Sequence, residues 1–494
     1  MTPDVIIIGS GMGGATLAAA LAPSGRRILI LERGQRLEHS VEARDPEAIF
    51  GRGHFRPDEE WLDGKGVPFN PGNYYVAGGN SKFYGAVLMR YRAQDFAPIR
   101  HLGGTTPGWP VSYVQMEPWY QAAEALYQVR GVLGEDPTEP AHSGTYTFAP
   151  VPDEPSIADL RRRLRNAGLH PSSLPLGVDI DRWLAKGQTP WDAFPDTCGG
   201  KMDAETVGLA HALQHPNVAL QTGARVVRLI AADGRITGVE VAGLGVLTAP
   251  LIVLAAGAVM SAALLLGSSD AAHPSGLANA SDQVGRNFMN HNLSGVLAVH
   301  PFRRNSAVYQ KTIQINDFYL KGGVDNTPLG NIQMLGKVSG PILASDTPIP
   351  RPAAGWIARR SVDLLAMSED LPNPDSRVTL KDGYVCLDWK RSNWETHVAL
   401  VAKLKQSLRK AGYPIVLSRA FDRRTPSHQC GTARMGDDPA TSVVNAQCRS
   451  HDIANLYVVD ASVLPTSAAV NPSLTIAALA LRAADHIIRT EFAA

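Results

Sequence analysis

Cysteine is scarce in this chain of 494 residues: four stand at Cys198, Cys386, Cys430 and Cys448, and no two make a CxxC pair. That excludes a zinc ribbon and a thioredoxin-like motif; no metal site is expected, and the cysteines should be buried free thiols. An excess of charge of either sign is missing too, since 47 Lys+Arg against 46 Asp+Glu leave a net charge of +1. So near-neutral a balance gives no reason to expect nucleic acid as a partner. Unbroken hydrophobic runs of spanning length are also lacking. Pro250 and Gly257 interrupt the charge-free stretch from Leu247 to Gly267, and Pro465, Asn471 and Pro472 interrupt the one from Ala461 to Leu481. A spanning helix needs about 20 apolar residues in a row, so no membrane span is expected. The N-terminus shows no basic region before its short apolar run, Val5 to Ile8. No leader is expected there, and a cytoplasmic location is the expectation. No fixed-period repeat is visible. The 44% hydrophobic and 19% charged residues describe an ordinary globular protein. Its length suggests about two to four domains, and a chain of this size buries a core without disulfide or metal staples.

The first unit is the most informative. Val5 to Ile8 reads as a buried strand, GSGMGGATLAAALAPSG as a Gly-rich turn and helix, and RRILILERG as a second strand ending on Glu32. Gly9, Gly11 and Gly14 fall in the G-x-G-x-x-G pattern. Gly9 permits the tight turn, Gly11 lets a pyrophosphate approach the backbone, and Gly14 lets helix and strand pack closely. The helix N-terminus offers free N–H groups to the phosphates. Glu32 lies where a carboxylate accepts from a ribose 2′-OH. Arg33 adjoins it, within reach of a 2′-phosphate, but a carboxylate already at the ribose position argues against NADP.

From Gly34 to about Pro71 the chain is irregular and polar. A second Gly-rich turn follows at Gly78-Gly79-Asn80-Ser81, and helical pieces occur in EPWYQAAEALYQV and IADLRRRLRNAG. LQTGARVVRLIAADGRITGVEV predicts a hairpin turning at Asp233-Gly234, and 247–267 predicts a strand, a Gly turn and a helix. Frequent turns between Ser294 and Asp388 predict an antiparallel sheet. ETHVALVAKLKQSLRKAGY predicts an amphipathic helix, NLYVVDAS a strand, and the apolar run after Asn471 a last helix.

Taken together in this order, these blocks resemble the glucose–methanol–choline (GMC) family of FAD-dependent oxidoreductases. The resemblance rests on the dinucleotide unit, GGNSKFYGA, GWPVSYVQMEPWYQAAE, LIVLAAGAVMSAALLLGSS, VGRNFMNH, HQCGTARMG and NLYVVDAS…NPSLTIAALALRAADHI. It implies an α/β fold with a Rossmann-like FAD-binding domain assembled from residues 1–105, 195–295 and 425–494. Residues 106–194 and 296–424 would form an antiparallel-sheet substrate domain. It implies that Gly9, Gly11 and Gly14 face the FAD pyrophosphate, with Glu32 and Arg33 at the ribose end. Gly79, Asn80 and Ser81 would line the pyrophosphate and flavin edge, and Val226 would meet the adenine through its backbone. Asp460 and Ala461 would approach the ribityl–phosphate linkage, and Asn471, Pro472, Ser473 and Leu474 would open a helix pointing at the flavin pyrimidine. Phe83 stands where some relatives carry a flavin-linking His, so FAD is expected to be non-covalent. Tyr84 stands where many have Asn.

The implied reaction is oxidation of an alcohol to its carbonyl, with hydride passing to the flavin. His428 is expected as general base and Asn471 as the amide on the alcohol oxygen; imidazole suits a base working near neutral pH. Asn471 also suits a helix cap, Cys430 a small packed residue, and His291 a structural role. A sugar, glycoside or polyol is the preferred substrate. A non-sugar aliphatic or aromatic alcohol, or a lyase on the same scaffold, is the alternative. The electron acceptor would be dioxygen, a quinone or a redox protein; motifs do not report which, nor the oligomeric state.

Overall fold

An all-apolar strand must be covered on both faces, and Val5–Ile8 lies buried at the centre of a five-stranded parallel sheet. The structure, a computed structural model, describes residues 2–185, 192–425 and 428–492. Across the sheet the order is Leu456–Val458, Leu251–Leu254, Val5–Ile8, Ile28–Leu31, Val218–Gln221, all parallel. The chain leaves Val5–Ile8 through helix Met12–Leu21 to reach Ile28–Leu31 on one side, whereas Leu251–Leu254 arrives on the other side much later. Strand order therefore reverses at the carboxyl ends of Val5–Ile8 and Leu251–Leu254, the crevice in which open α/β sheets bind ligands.

A second, six-stranded sheet is antiparallel throughout, in the order Ile415–Ala420, Asn292–Val299, Ser361–Ser368, Asn331–Met334, Ile313–Ile315, Pro171–Ser173. Its outer face carries Ile313, Ile315, Ile332 and Met334, packed with helices Pro155–Asn166 and Trp394–Lys410 into a separate core. Those helices contribute Ile157, Leu160 and Leu164, and Leu400, Leu404 and Leu408, at the three- and four-residue spacings of one helix face. The alternate residues of the two short strands are amides: Gln314, Asn331 and Gln333, with Asn316 just beyond, all buried.

The predicted hairpin is present as Val226–Ala232 and Arg235–Val241, with Asp233 and Gly234 both at positive φ as a primed turn requires. Helix Tyr113–Leu126, in the 106–194 stretch, packs against the last helix, Ser473–Thr490, and joins the core of the parallel sheet. Strand Asn292–Val299 runs unbroken across residues 295 and 296. The stretch between Ser294 and Asp388 also holds two helices, Gly340–Asp346 and Arg351–Ala358. Cys430 and Cys448 are buried, but Cys198 and Cys386 are only partly so, which corrects the expectation that all four are buried. No helix among the described residues is long and apolar enough to cross a membrane.

Candidate active site

Close backbone approach fixes the glycines at the end of the first strand. A Cβ on Gly14 would lie 2.1 Å from the Gly9 carbonyl oxygen, and one on Gly9 2.3 Å from that of Ala255. Gly13, which the G-x-G-x-x-G pattern leaves free, is held as tightly: its Cβ would lie 1.8 Å from the Val459 carbonyl oxygen. Gly11 differs, because a Cβ there would meet nothing within 4 Å. Open space thus faces the N-terminus of helix Met12–Leu21, which no side chain caps. Across it stands Gly79, whose Cβ would lie 3.5 Å from Gly11 Cα.

Glu32 is buried at the end of its strand. Its carboxylate accepts from Ser10 N at 3.1 Å, Ser10 Oγ at 2.6 Å and Gly34 N at 2.9 Å. Burial pushes its pKa above the usual carboxylate value against those bonds. Ser10 Oγ also accepts from Gly78 N at 3.1 Å, tying the two Gly-rich turns together. Arg33 lies flat over Tyr75 at 3.6 Å and 3.6 Å from Glu59, so it is engaged away from its neighbour's carboxylate. Ala224 N donates to the Glu32 carbonyl, two residues before Val226 opens a strand of the separate antiparallel hairpin sheet.

The turn Gly79–Phe83 is anchored from below by Lys82, buried between Asp203 at 3.1 Å and Glu205 at 2.7 Å. The Ser81 hydroxyl is internal: it donates to Gly78 O and accepts from Ala204 N. Asn80 lies at the surface and bonds Tyr74 N and Asn73. Phe83 stacks on Tyr74 with centroids 3.7 Å apart, and the Tyr84 hydroxyl donates to Met202 O. Asp460 caps the turn Ala461–Val463 through Ser462 N and also accepts from Gly257 N at 2.9 Å and Ser261 Oγ at 2.5 Å.

His428 has φ of 70°, unusual for a residue with a side chain. Its segment is sandwiched: Cys430 pairs with Met289, and Gly431 N and Ala433 N donate to the Ala461 and Ser462 carbonyls. His428 Nε2 lies 3.1 Å from Asn471 Nδ2, and its Nδ1 lies 2.7 Å from His291 Nδ1. Gln333 Nε2 donates to Asn471 Oδ1 at 2.9 Å, linking strand Asn331–Met334 to the residue before the last helix's N-cap. Asn471 does not cap the last helix: the N-cap is Pro472, with no side-chain bond, so the predicted capping role gives way to the contact with His428. Ser473 and Leu474 open that helix, leaving its N-terminus uncapped beside the site. Desolvation, with His291 and Lys311 nearby, holds the His428 pKa well below the ordinary 6.5.

These residues fit FAD. The bare side of Gly11, the facing Gly79, two uncapped helix N-termini and a buried carboxylate at a strand end are what a dinucleotide and flavin require. Sequence reasoning missed Ser10, Gly13, Lys82 and Gln333, whose partners lie far along the chain. His291, expected as a structural residue, lies in direct contact with His428.

Fold and site together define a flavin-dependent oxidoreductase. Residues 4–276 match the family described as FAD dependent oxidoreductase, and residues 372–480 that described as GMC oxidoreductase. Paromamine 6'-oxidase of Streptomyces fradiae is 31% identical over 98% of this chain and 91% of its own. The 6'''-hydroxyparomomycin C oxidase of Streptomyces lividus is also 31% identical, over 98% of this chain and 91% of its own. The crystal structure of pyridoxine 4-oxidase from Mesorbium loti shares the fold, with a TM-score of 0.69, 19% identity and 99% of each chain covered. The chain belongs to the GMC oxidoreductase family, and it is an FAD-dependent enzyme acting on alcohols.

Proposed function

We propose that this enzyme oxidises a carbinol of a sugar, glycoside or polyol, with His428 removing the hydroxyl proton and Asn471 holding the alcohol oxygen. The observation that carries the reading is the contact of His428 Nε2 with Asn471 Nδ2 at 3.1 Å. A neutral imidazole has a lone pair to take a proton, and an amide N–H steadies the same oxygen without competing for that proton. Gln333 occupies Asn471 Oδ1 and so turns Nδ2 toward His428; of its two hydrogens, the one not directed at Nε2 remains for the alcohol. Bound FAD supplies the hydride acceptor.

The proposed cofactor contacts are Gly9, Gly11 and Gly14 along the pyrophosphate, Glu32 at the ribose and Val226 at the adenine. Gly79 and Asn80, the Asp460–Ala461 turn and the Pro472–Leu474 helix start complete them. Ser81 serves by shaping its turn, and Arg33 by its stack on Tyr75. Gln333, buried and bonded to Asn471, supports a hydroxyl-rich substrate, because an amide beside the site suits hydrogen bonding rather than an apolar ligand.

The test is anaerobic mixing of the FAD-loaded protein with a panel of sugars, polyols, aliphatic and aromatic alcohols, and paromamine. Bleaching of the flavin by hydroxyl-rich members is expected. Bleaching by aromatic or simple aliphatic alcohols alone would overturn the substrate class. A panel member consumed with no bleaching would point to the lyase.

A further inference from the structure

The proton arrangement at His428 is dictated from a distance. His291 Nε2 lies 3.0 Å from the Ser467 carbonyl oxygen and 2.8 Å from that of Ala468. Carbonyl oxygens only accept, so this nitrogen carries a hydrogen. His291 is buried, and burial lowers its pKa, so the ring is neutral and its Nδ1 is bare. That Nδ1 is 2.7 Å from His428 Nδ1. Two ring nitrogens at such a distance share one hydrogen, and His428 must supply it. The lone pair of His428 then resides on Nε2, facing the Asn471 amide. Hydrogen bonds run one way along the whole chain, from Gln333 through Asn471, His428 and His291 to the main chain.

The end of that chain is itself held. Tyr91 donates to the Ser467 carbonyl at 2.9 Å, Ala468 N donates to Glu369 at 3.0 Å, and Ala469 N to the Tyr319 hydroxyl at 3.3 Å. The charged groups around the two rings are Lys311, paired with Asp192 at 2.5 Å, and Glu369, 3.2 Å from His101.

We propose that His291 is a positioning residue that holds His428 in its Nδ1-protonated form, so that the Nε2 lone pair meets the substrate hydroxyl. The inference rests on the reading of His428 as the base. In the step it serves, the substrate O–H bond breaks and its proton passes to His428 Nε2. The carbinol C–H breaks with both electrons, as hydride to bound FAD, and the C–O bond becomes C=O. His428 then carries a hydrogen on each nitrogen, and its bond to His291 becomes charge-assisted and stronger. The tautomer a histidine adopts is set by the bond its other nitrogen makes, and a base oriented by a third group is a recurrent device.

The test uses FAD-loaded full-length protein: wild type, His291→Leu, His291→Asn and His428→Ala. Histidine ¹⁵N NMR reads the tautomer, with the His428 signals assigned by their loss in His428→Ala. Stopped-flow flavin reduction by an alcohol the wild type oxidises is followed across pH. In the wild type His428 is expected to be protonated on Nδ1 alone. His291→Leu should mix the tautomers and slow reduction by about 10- to 1,000-fold, less than or similar to the about 10²–10⁴-fold worth of a general base. Half-saturation should stay within about threefold, because the substrate contacts remain. His291→Asn, which keeps an acceptor near the position of Nδ1, should restore the tautomer and most of the rate. His428 protonated on Nε2 in the wild type would overturn the proposal. So would His291→Leu with a single Nδ1-protonated tautomer and the wild-type rate. If His428→Ala reduces its flavin normally, the reading of the base fails, while the wild-type NMR still decides what His291 does.

Discussion

His428 combines a left-handed backbone with a ring held on both sides, and strained geometry of this kind persists where surrounding structure over-determines it. Its pKa lies below 6.5 because desolvation disfavours the cation. A base is lost as pH falls through its own pKa, so the acidic limb of the flavin-reduction rate should be centred below pH 6.5. Stopped-flow reduction across pH checks this; a limb centred above that value contradicts it. Glu32 offers a second prediction. Glu32→Gln keeps the shape but removes the charge, and a hydrogen bond to a charged group contributes about 1.5–3 kcal/mol. FAD retention, read by equilibrium dialysis, should weaken by about ten- to a hundred-fold, while reduction at saturating FAD stays near wild type. His428, Asn471 and Glu32 were legible because their spacings follow known motifs. Ser10 and Gln333 were not, because their roles depend on Gly78 and Asn471, 68 and 138 residues away.

Among elements, helix Met12–Leu21 shows how glycine pattern becomes packing. Gly13 and Gly11 make opposite predictions. Gly13→Ala drives a Cβ into the Val459 carbonyl, 1.8 Å away, and should destabilise the protein by about 1–3 kcal/mol or more with or without FAD. Gly11→Ala meets no protein atom within 4 Å, so the apoprotein should unfold within about 0.5 kcal/mol of wild type while FAD binding is lost. Denaturant unfolding of both apoproteins, with flavin titrations, separates the two. Equal apoprotein stabilities would contradict the packing argument. Elements with a strong local signal, such as the hairpin at Asp233-Gly234 and the helix Trp394–Lys410, are where the sequence places them. The segment Trp61–Asp63 reads as irregular because it pairs locally only with the two residues Pro68–Phe69, and its longer partner, Tyr384–Asp388, lies more than 300 residues away. The amides of Gln314 and Gln333 alternate with Ile and Met, a period-two signal with polar residues facing inward rather than to solvent.

At the scale of the molecule, the parallel sheet draws strands from both ends of the chain and from its middle. FAD seated at its carboxyl edge would stabilise only the folded arrangement; at 100 times its Kd it should add about 2.7 kcal/mol to unfolding. The flavin should also be separable. Phe83 stacks on Tyr74 and carries no nucleophile at the position where some relatives attach it. Acid or heat precipitation should therefore leave FAD in the supernatant, read by its absorbance. Flavin that stays with the polypeptide would contradict non-covalent binding. Fold class was legible at this scale because motif order covers nearly the whole chain. Less legible were the packing of Tyr113–Leu126 with the last helix and the unbroken run of strand Asn292–Val299, because no local motif reports either.

The central claim is that His428 removes the hydroxyl proton while hydride leaves the carbinol carbon. Single-turnover flavin reduction under anaerobic conditions tests it, comparing wild type with His428→Ala and a protio alcohol with one deuterated at the carbinol carbon. Wild type should show slower reduction with the deuterated alcohol. His428→Ala should retain FAD and fold but reduce its flavin about 10²–10⁴-fold more slowly, equivalent to about 3–5.5 kcal/mol of barrier. Reduction by His428→Ala at close to the wild-type rate would contradict the account.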